Sequence, residues 1–158
     1  MDFQAKRVSR SYRQTINATP DQVFPLICPV REAEWADDWD YKMIYSKTGL
    51  AEEGAVFSTP YEGEQDTIWI ITKHDPIKRQ VEFVRVTPVS RASILTVDIS
   101  EKDERTSYVD ITYTYTAITE EGNQFIDNYT EEFFQTNLKH WEESMNYFVE
   151  TGKMLIAS

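Results

Sequence analysis

The last third of the chain, residues 107–155, limits most tightly what it can fold into. Val109, Ile111, Tyr113, Tyr115 and Ala117 alternate with Asp110, Thr112, Thr114 and Thr116. Successive strand side chains point to opposite sides, so this is a strand with one apolar and one polar face. A turn at Glu120-Glu121-Gly122 then leads into one long amphipathic helix. Ile126, Tyr129, Thr130, Phe133, Asn137, Trp141, Ser144, Met145, Phe148, Gly152 and Leu155 recur along it at spacings of three and four, the period of a single helix face. About 30 helical residues at ~1.5 Å each reach roughly 45 Å, the width of a small domain. A one-sided sheet and a one-sided helix must cover each other, and a helix laid across a curved sheet leaves space between the layers. Thr130, Asn137 and Ser144 are small polar breaks in the apolar stripe, better suited to a partly wet cavity than to dry packing. The paired acids Glu131-Glu132 and Glu142-Glu143 fall on the opposite, solvated side.

Upstream, residues 7–17 read as a first strand. Thr19 is a good N-cap, with Pro20 at the first helical position and Gln22 completing a capping box. Pro25 keeps that helix short or distorted, Cys28-Pro29 ends it, and Val30 to Asp37 forms a second short helix. From Trp39 the pattern changes to strands: Trp39 to Tyr45, Ala55 to Thr59, Asp66 to His74, Val81 to Thr87 and Arg91 to Ser100. Turns are expected at residues 61–65, at Asp75-Pro76 and at the charged Glu101-Lys102-Asp103-Glu104. Ile68-Trp69-Ile70-Ile71 is apolar on both faces, which predicts a central strand. Close spacing without intervening helices implies an antiparallel, hairpin-connected sheet.

A chain of 158 residues fits one domain and can bury roughly 70% of its unfolded surface. Its formal charge of -11 repels nucleic acid and anionic membrane surfaces at long range, so neither a nucleic-acid partner nor membrane insertion is expected. The single cysteine, Cys28, precludes an internal disulfide and suits a reducing compartment, and no apolar run is long enough for a signal peptide or a membrane span. The expectation is a soluble cytoplasmic protein, monomer or homodimer.

The order strand, two short helices, six strands, long helix resembles the START-related superfamily (SRPBCC, or polyketide cyclase/dehydrase-like), which includes the pollen-allergen-type plant lipid carriers. The segment Glu34-Trp35-Ala36-Asp37-Asp38-Trp39-Asp40-Tyr41 and, after it, Glu53-Gly54-Ala55-Val56-Phe57 look like a bacterial branch of that superfamily. Thr67-Ile68-Trp69-Ile70 and Tyr113-Thr114-Tyr115-Thr116-Ala117 are similar to it as well. Asp38 departs from the pattern, standing where a glycine is expected before the second Trp. The resemblance covers nearly the whole chain. It implies an α+β helix-grip fold: a seven-stranded antiparallel sheet wrapped around a C-terminal helix, enclosing a hydrophobic cavity. It does not imply one activity, because the fold hosts carriers, cyclases, hydrolases and chaperone activators.

Catalytic signatures are sparse. There is no nucleophile elbow, phosphate loop or paired-cysteine metal motif, so neither cofactor nor metal is expected. Cys28 reads as a buried structural thiol and His74 as turn chemistry. His140 lies on the flank of the apolar stripe and is the weak catalytic candidate. The acids Glu32, Glu34, Asp37, Asp38 and Asp40 could supply a general base or a cation site, but the leading reading is a solvated helix-loop surface. Arg85 and Arg91 stand out among the cations: Arg85 faces inward, able to anchor an anionic headgroup, if Val81, Phe83 and Thr87 do, and outward if Val84 and Val86 face in, and both remain open. The aromatic residues carry the strongest signal. Trp39, Trp69, Phe83, Tyr113, Tyr115, Phe133 and Trp141 come from elements that the helix-grip plan arranges around one space, with Arg85, Thr130 and Asn137 as polar contacts. The leading reading is a binding protein for a hydrophobic or aromatic small molecule of lipid or polyketide-like character. The alternatives are an enzyme of cyclase, dehydratase or hydrolase type on the same scaffold, and an interaction module similar to the chaperone activators.

Overall fold

The computed structural model describes residues 2–60 and 63–156; Tyr61 and Glu62 of the expected 61–65 turn lie outside the described residues. The chain runs through β1 (Arg7–Ile16), α1 (Pro20–Val23), α2 (Pro29–Trp35), β2 (Lys42–Tyr45), β3 (Val56–Thr59), β4 (Thr67–Asp75), β5 (Gln80–Thr87), β6 (Arg91–Asp103), β7 (Thr106–Ala117), α3 (Glu120–Asn128) and α4 (Glu131–Thr151). The seven strands form one antiparallel sheet in the order β1-β7-β6-β5-β4-β3-β2. Consecutive strands pair by hairpins except at β1, which returns to zip along β7 from Arg7↔Thr116 to Ile16↔Ser107.

The first helical turns form as their sequence dictates. The Thr19 side chain accepts from the Gln22 backbone, and the Gln22 side chain accepts from the Thr19 backbone N–H at 2.9 Å, a reciprocal cap worth about 1 kcal/mol. Pro25 has no N–H to donate, and α1 gives way to a 3₁₀ turn at Phe24–Leu26. After α2 the chain does not enter a strand at Trp39. The Trp39 indole N–H donates to the Pro29 carbonyl at 2.9 Å, tying Trp39 to the first residue of α2, and β2 begins only at Lys42. The expected 101–104 loop is also shorter, because β6 continues to Asp103 and only Glu104-Arg105 turn.

The single long C-terminal helix is two helices. Tyr129 leaves helical geometry (φ -89°, ψ 85°), and Thr130 restarts the helix by accepting from the Phe133 backbone N–H at 3.1 Å. This break resets the phase. On α4 the deeply buried residues are Phe134, Leu138, Ser144 and Met145, while Phe133 is 52% exposed. α4 lies over β1 and is stitched to it by polar side chains. Gln14 donates to the Leu138 carbonyl at 3.0 Å, and Asn146 donates to the Thr15 carbonyl at 3.0 Å.

The inner sheet face, α2 and α4 enclose the core, which includes Trp35, Phe57, Ile71, Val81, Ile111, Phe134 and Met145. No described helix packs on the outer face, so β4 is flanked by two strands but covered on one side only. Ile70, Val86 and Ile94 are each about two-fifths exposed there. Among the described residues no helix is long and apolar enough to cross a membrane.

Candidate functional site

The sheet register builds the site in two adjacent rows. Phe57 pairs with Trp69, Trp69 with Arg85, Arg85 with Ser93 and Ser93 with Tyr115; beside this row, Ile71, Phe83, Leu95 and Tyr113 align in the same way. All of these side chains stand on the inner face. Val81 and Phe83, 1% and 4% exposed, anchor the alternation of β5 and therefore turn Arg85 inward. The alternative with Val84 and Val86 inward does not occur. Across the gap stand α2 with Glu32 and Trp35, and α4 with Phe133, Asn137, Leu138, His140, Trp141 and Ser144. Between them lies a cavity of about 350 Å³, near the lower end for small-molecule sites.

Its walls are aromatic. Trp69 packs edge-on against Trp39 (5.9 Å between centroids) and Phe83 (5.6 Å), and stacks on Phe57 at 5.1 Å. Trp35 and Trp141 stack at 5.9 Å, and Tyr113 and Tyr115 at 5.8 Å. Such offset and edge contacts fix ring orientation as well as burying area.

The polar groups in this apolar setting are few. The Arg85 guanidinium carbon lies 4.6 Å from the Trp69 ring centroid, 5.4 Å from that of Tyr113 and 5.7 Å from that of Tyr115. Its Nε is buried without a hydrogen-bond partner among the described residues. Trp141 Nε1 and Ser144 Oγ, also on the cavity wall, are likewise buried and unpartnered among the described residues. Burial pushes the Glu32 carboxyl up to about 8, so it is largely protonated at neutral pH. Burial also raises the Tyr113 phenol, against the opposing pull of Arg85, and raises Tyr129, with Tyr115 adding to the effect. Arg91, 1% exposed, pairs with Glu64 at 3.0 Å and sits over the Phe125 ring, so its charge is already met. At the rim, His140 Nε2 is 3.3 Å from Asp37 Oδ1 and joins α4 to the loop after α2.

Trp39, Trp69, Phe83, Arg85, Tyr113, Tyr115, Phe133, Asn137, Trp141 and His140 all line this space. Thr130 does not; its hydroxyl is spent capping α4. Glu32, one of the acids expected on a solvated surface, lines the cavity. The signal was its place three residues before Trp35, which puts both on one face of α2. Glu142 also leaves the solvated group, since its carboxylate accepts from the Tyr12 hydroxyl at 2.8 Å and the Thr15 backbone N–H at 2.6 Å. Cys28 is buried at the start of α2, where its Sγ accepts from the Ala51 N–H. Among the described residues no three His, Cys, Asp or Glu side chains converge as metal ligands.

No protein-family model matches the sequence, and no match was found among curated proteins. Solved structures do resemble it. Norcoclaurine synthase from Thalictrum flavum, solved in complex with dopamine and hydroxybenzaldehyde, superposes with a TM-score of 0.68 at 11% identity, over 94% of this chain and 90% of that one. The Zhui aromatase/cyclase from Streptomyces sp. R1128 gives 0.61 at 11% identity over 96% and 100%. Ara h 8.0201 gives 0.62 at 10% identity over 92% and 99%. Identities this low speak to architecture alone, and on architecture they agree with the sequence reading: the chain carries a helix-grip fold, a seven-stranded antiparallel sheet around a long C-terminal helix.

Proposed function

We propose that the protein binds a flat, largely apolar small molecule in the cavity between the inner sheet face and α4. The observation that carries this reading is the composition of the walls. Paired aromatic rings surround about 350 Å³ of space, and three polar atoms, Arg85 Nε, Trp141 Nε1 and Ser144 Oγ, are buried there without hydrogen-bond partners among the described residues. A finished core closes such space and satisfies such groups, because each unmet buried donor costs about 1–3 kcal/mol. Among the similar folds, one is solved with dopamine and hydroxybenzaldehyde and another is an aromatase/cyclase, which supports an aromatic occupant.

Native mass spectrometry of freshly purified protein tests the reading. The expected spectrum contains a species heavier than the chain by the mass of a small molecule, lost on denaturation, or uptake of added naphthyl compounds. A bare chain that takes up none of them overturns it.

One observation favours a second reading, catalysis in the same cavity. Glu32 lines the wall as a neutral carboxylic acid, so it can donate a proton at neutral pH and take one back, the requirement for general acid–base work. His140 is the weaker candidate, being part-exposed and engaged with Asp37 at the rim.

A further inference from the structure

We infer that the cavity selects an aromatic monocarboxylate and holds its carboxylate group on Arg85. This deepens the binding reading above and rests on it.

Arg85 stands in the inner row between Trp69 and Ser93 and lines the cavity. No carboxylate lies within ion-pair distance of it among the described residues, and its Nε–H has no acceptor. Guanidinium remains charged in proteins, so the positive charge persists in this apolar setting. Three aromatic faces between 4.6 and 5.7 Å away soften the cost without neutralising the charge. Removing an ion from water costs several kcal/mol, and a bound counter-ion with matching hydrogen bonds offsets it.

The neighbouring acids do not fill that role. Glu64 is occupied by Arg91, Asp37 contacts His140 at the rim, and Asp38 is exposed to solvent. Glu32 shares the wall, but burial holds its carboxyl in the neutral form. Thus a chain of formal charge -11 keeps an unmatched cation inside its aromatic cavity.

The geometry of the open edge points to a carboxylate. An Nε–H beside an Nη–H presents two parallel donors, which match the two coplanar oxygens of a carboxylate. The ring of an aromatic acid then extends along the walls set by Trp39, Trp69 and Phe83. A dianionic phosphate would leave a second charge facing apolar rings and the Glu32 carboxyl.

Titration calorimetry at neutral pH with naphthoate, its neutral isostere naphthamide, and naphthyl phosphate tests this. Naphthoate is expected to bind about tenfold tighter than naphthamide or better, equivalent to about 1.4 kcal/mol. In Arg85→Met, which keeps the apolar stem, that preference is expected to vanish while naphthamide binding persists. Arg85→Lys, which keeps the charge but loses the paired donors, is expected to fall between them. Equal affinities in the unmodified protein, an undiminished preference in Arg85→Met, or a preference for naphthyl phosphate would each overturn the assignment. Absence of binding by all three compounds would instead overturn the cavity-binding reading on which it rests.

Discussion

The guanidinium of Arg85 rests over the indole of Trp69, its cross-strand neighbour, at 4.6 Å from the ring centroid. The pair ties the cation to the most aromatic corner of the cavity. A double-mutant cycle of Trp69→Leu and Arg85→Met, followed by urea unfolding, is expected to give a coupling energy of about 1 kcal/mol, in the range for a partly desolvated cation–π contact. Purely additive effects would show that the two side chains are merely adjacent.

Glu32 makes stability depend on pH. Its carboxyl titrates near 8 in the folded protein against 4.5 for the ordinary group, so the folded state retains a proton that the unfolded chain gives up. Stability from this group is fully present below the unfolded value and declines as pH rises from 4.5 towards 8. Glu32→Gln, which stays neutral, is expected to gain on the unmodified protein progressively across that window. The check is the difference between the two urea midpoints, measured from acid to mildly alkaline pH; parallel curves would contradict the buried-acid placement.

Glu142 is a clamp between α4 and the edge strand β1. One carboxylate oxygen accepts from Tyr12 and the other from the Thr15 backbone, and the same contact helps push the Tyr12 phenol up to about 12, after burial. Glu142→Ala is expected to cost about 2–3 kcal/mol in chemical unfolding, because two donors lose a charged acceptor. Glu143→Ala, one residue on and solvent-exposed, is expected to cost less than about 0.5 kcal/mol. Similar costs for the two would contradict the clamp.

Gly122 has no room for a side chain. A Cβ there would lie 1.9 Å from the Ser90 carbonyl oxygen, at the point where α3 meets the turn between β5 and β6. Gly122→Ala is expected to lower stability by about 2–3 kcal/mol as α3 is levered away, whereas an ordinary exposed helix position would gain from alanine. Thermal unfolding of the variant provides the test; an unchanged midpoint would mean that the close approach is relieved cheaply.

The sheet was legible because its signals are local. Alternation in β7, the strand ends before Pro60 and Pro88, and the Thr19 capping box each act over a few residues, and each appears in the structure where the sequence places it. The Glu120-Glu121-Gly122 turn does not: these residues form the first turn of α3, capped by the Thr119 side chain, which accepts from the Gly122 N–H. The sequence reads as one C-terminal helix because a 3.6-residue stripe carries smoothly through Tyr129 and Thr130. Thr130 followed by Glu131 and Glu132 was the overlooked start signal. Asn137 and Ser144, read as polar breaks in that stripe, do line the cavity, while Thr130 was a cap disguised as a break. The direction of Arg85 depended on which alternate set of β5 packs inward. Val81, Phe83, Val84 and Val86 made both sets apolar, and only burial against α2 and α4 chose between them. Glu32 was hidden by its acidic neighbours, because charge density along the chain does not reveal which side of a short helix is covered.

The most direct measurement of the central claim is a titration with naphthoate followed by nitrogen–proton NMR of the arginine Nε–H and tryptophan indole resonances. Progressive, saturable shifts of Arg85 Nε–H together with the Trp69 and Trp141 indoles are expected, with the exposed Arg7 and Arg13 side chains unmoved. Shifts confined to exposed arginines, or none at all, would contradict an anion-selective aromatic cavity between the sheet and α4.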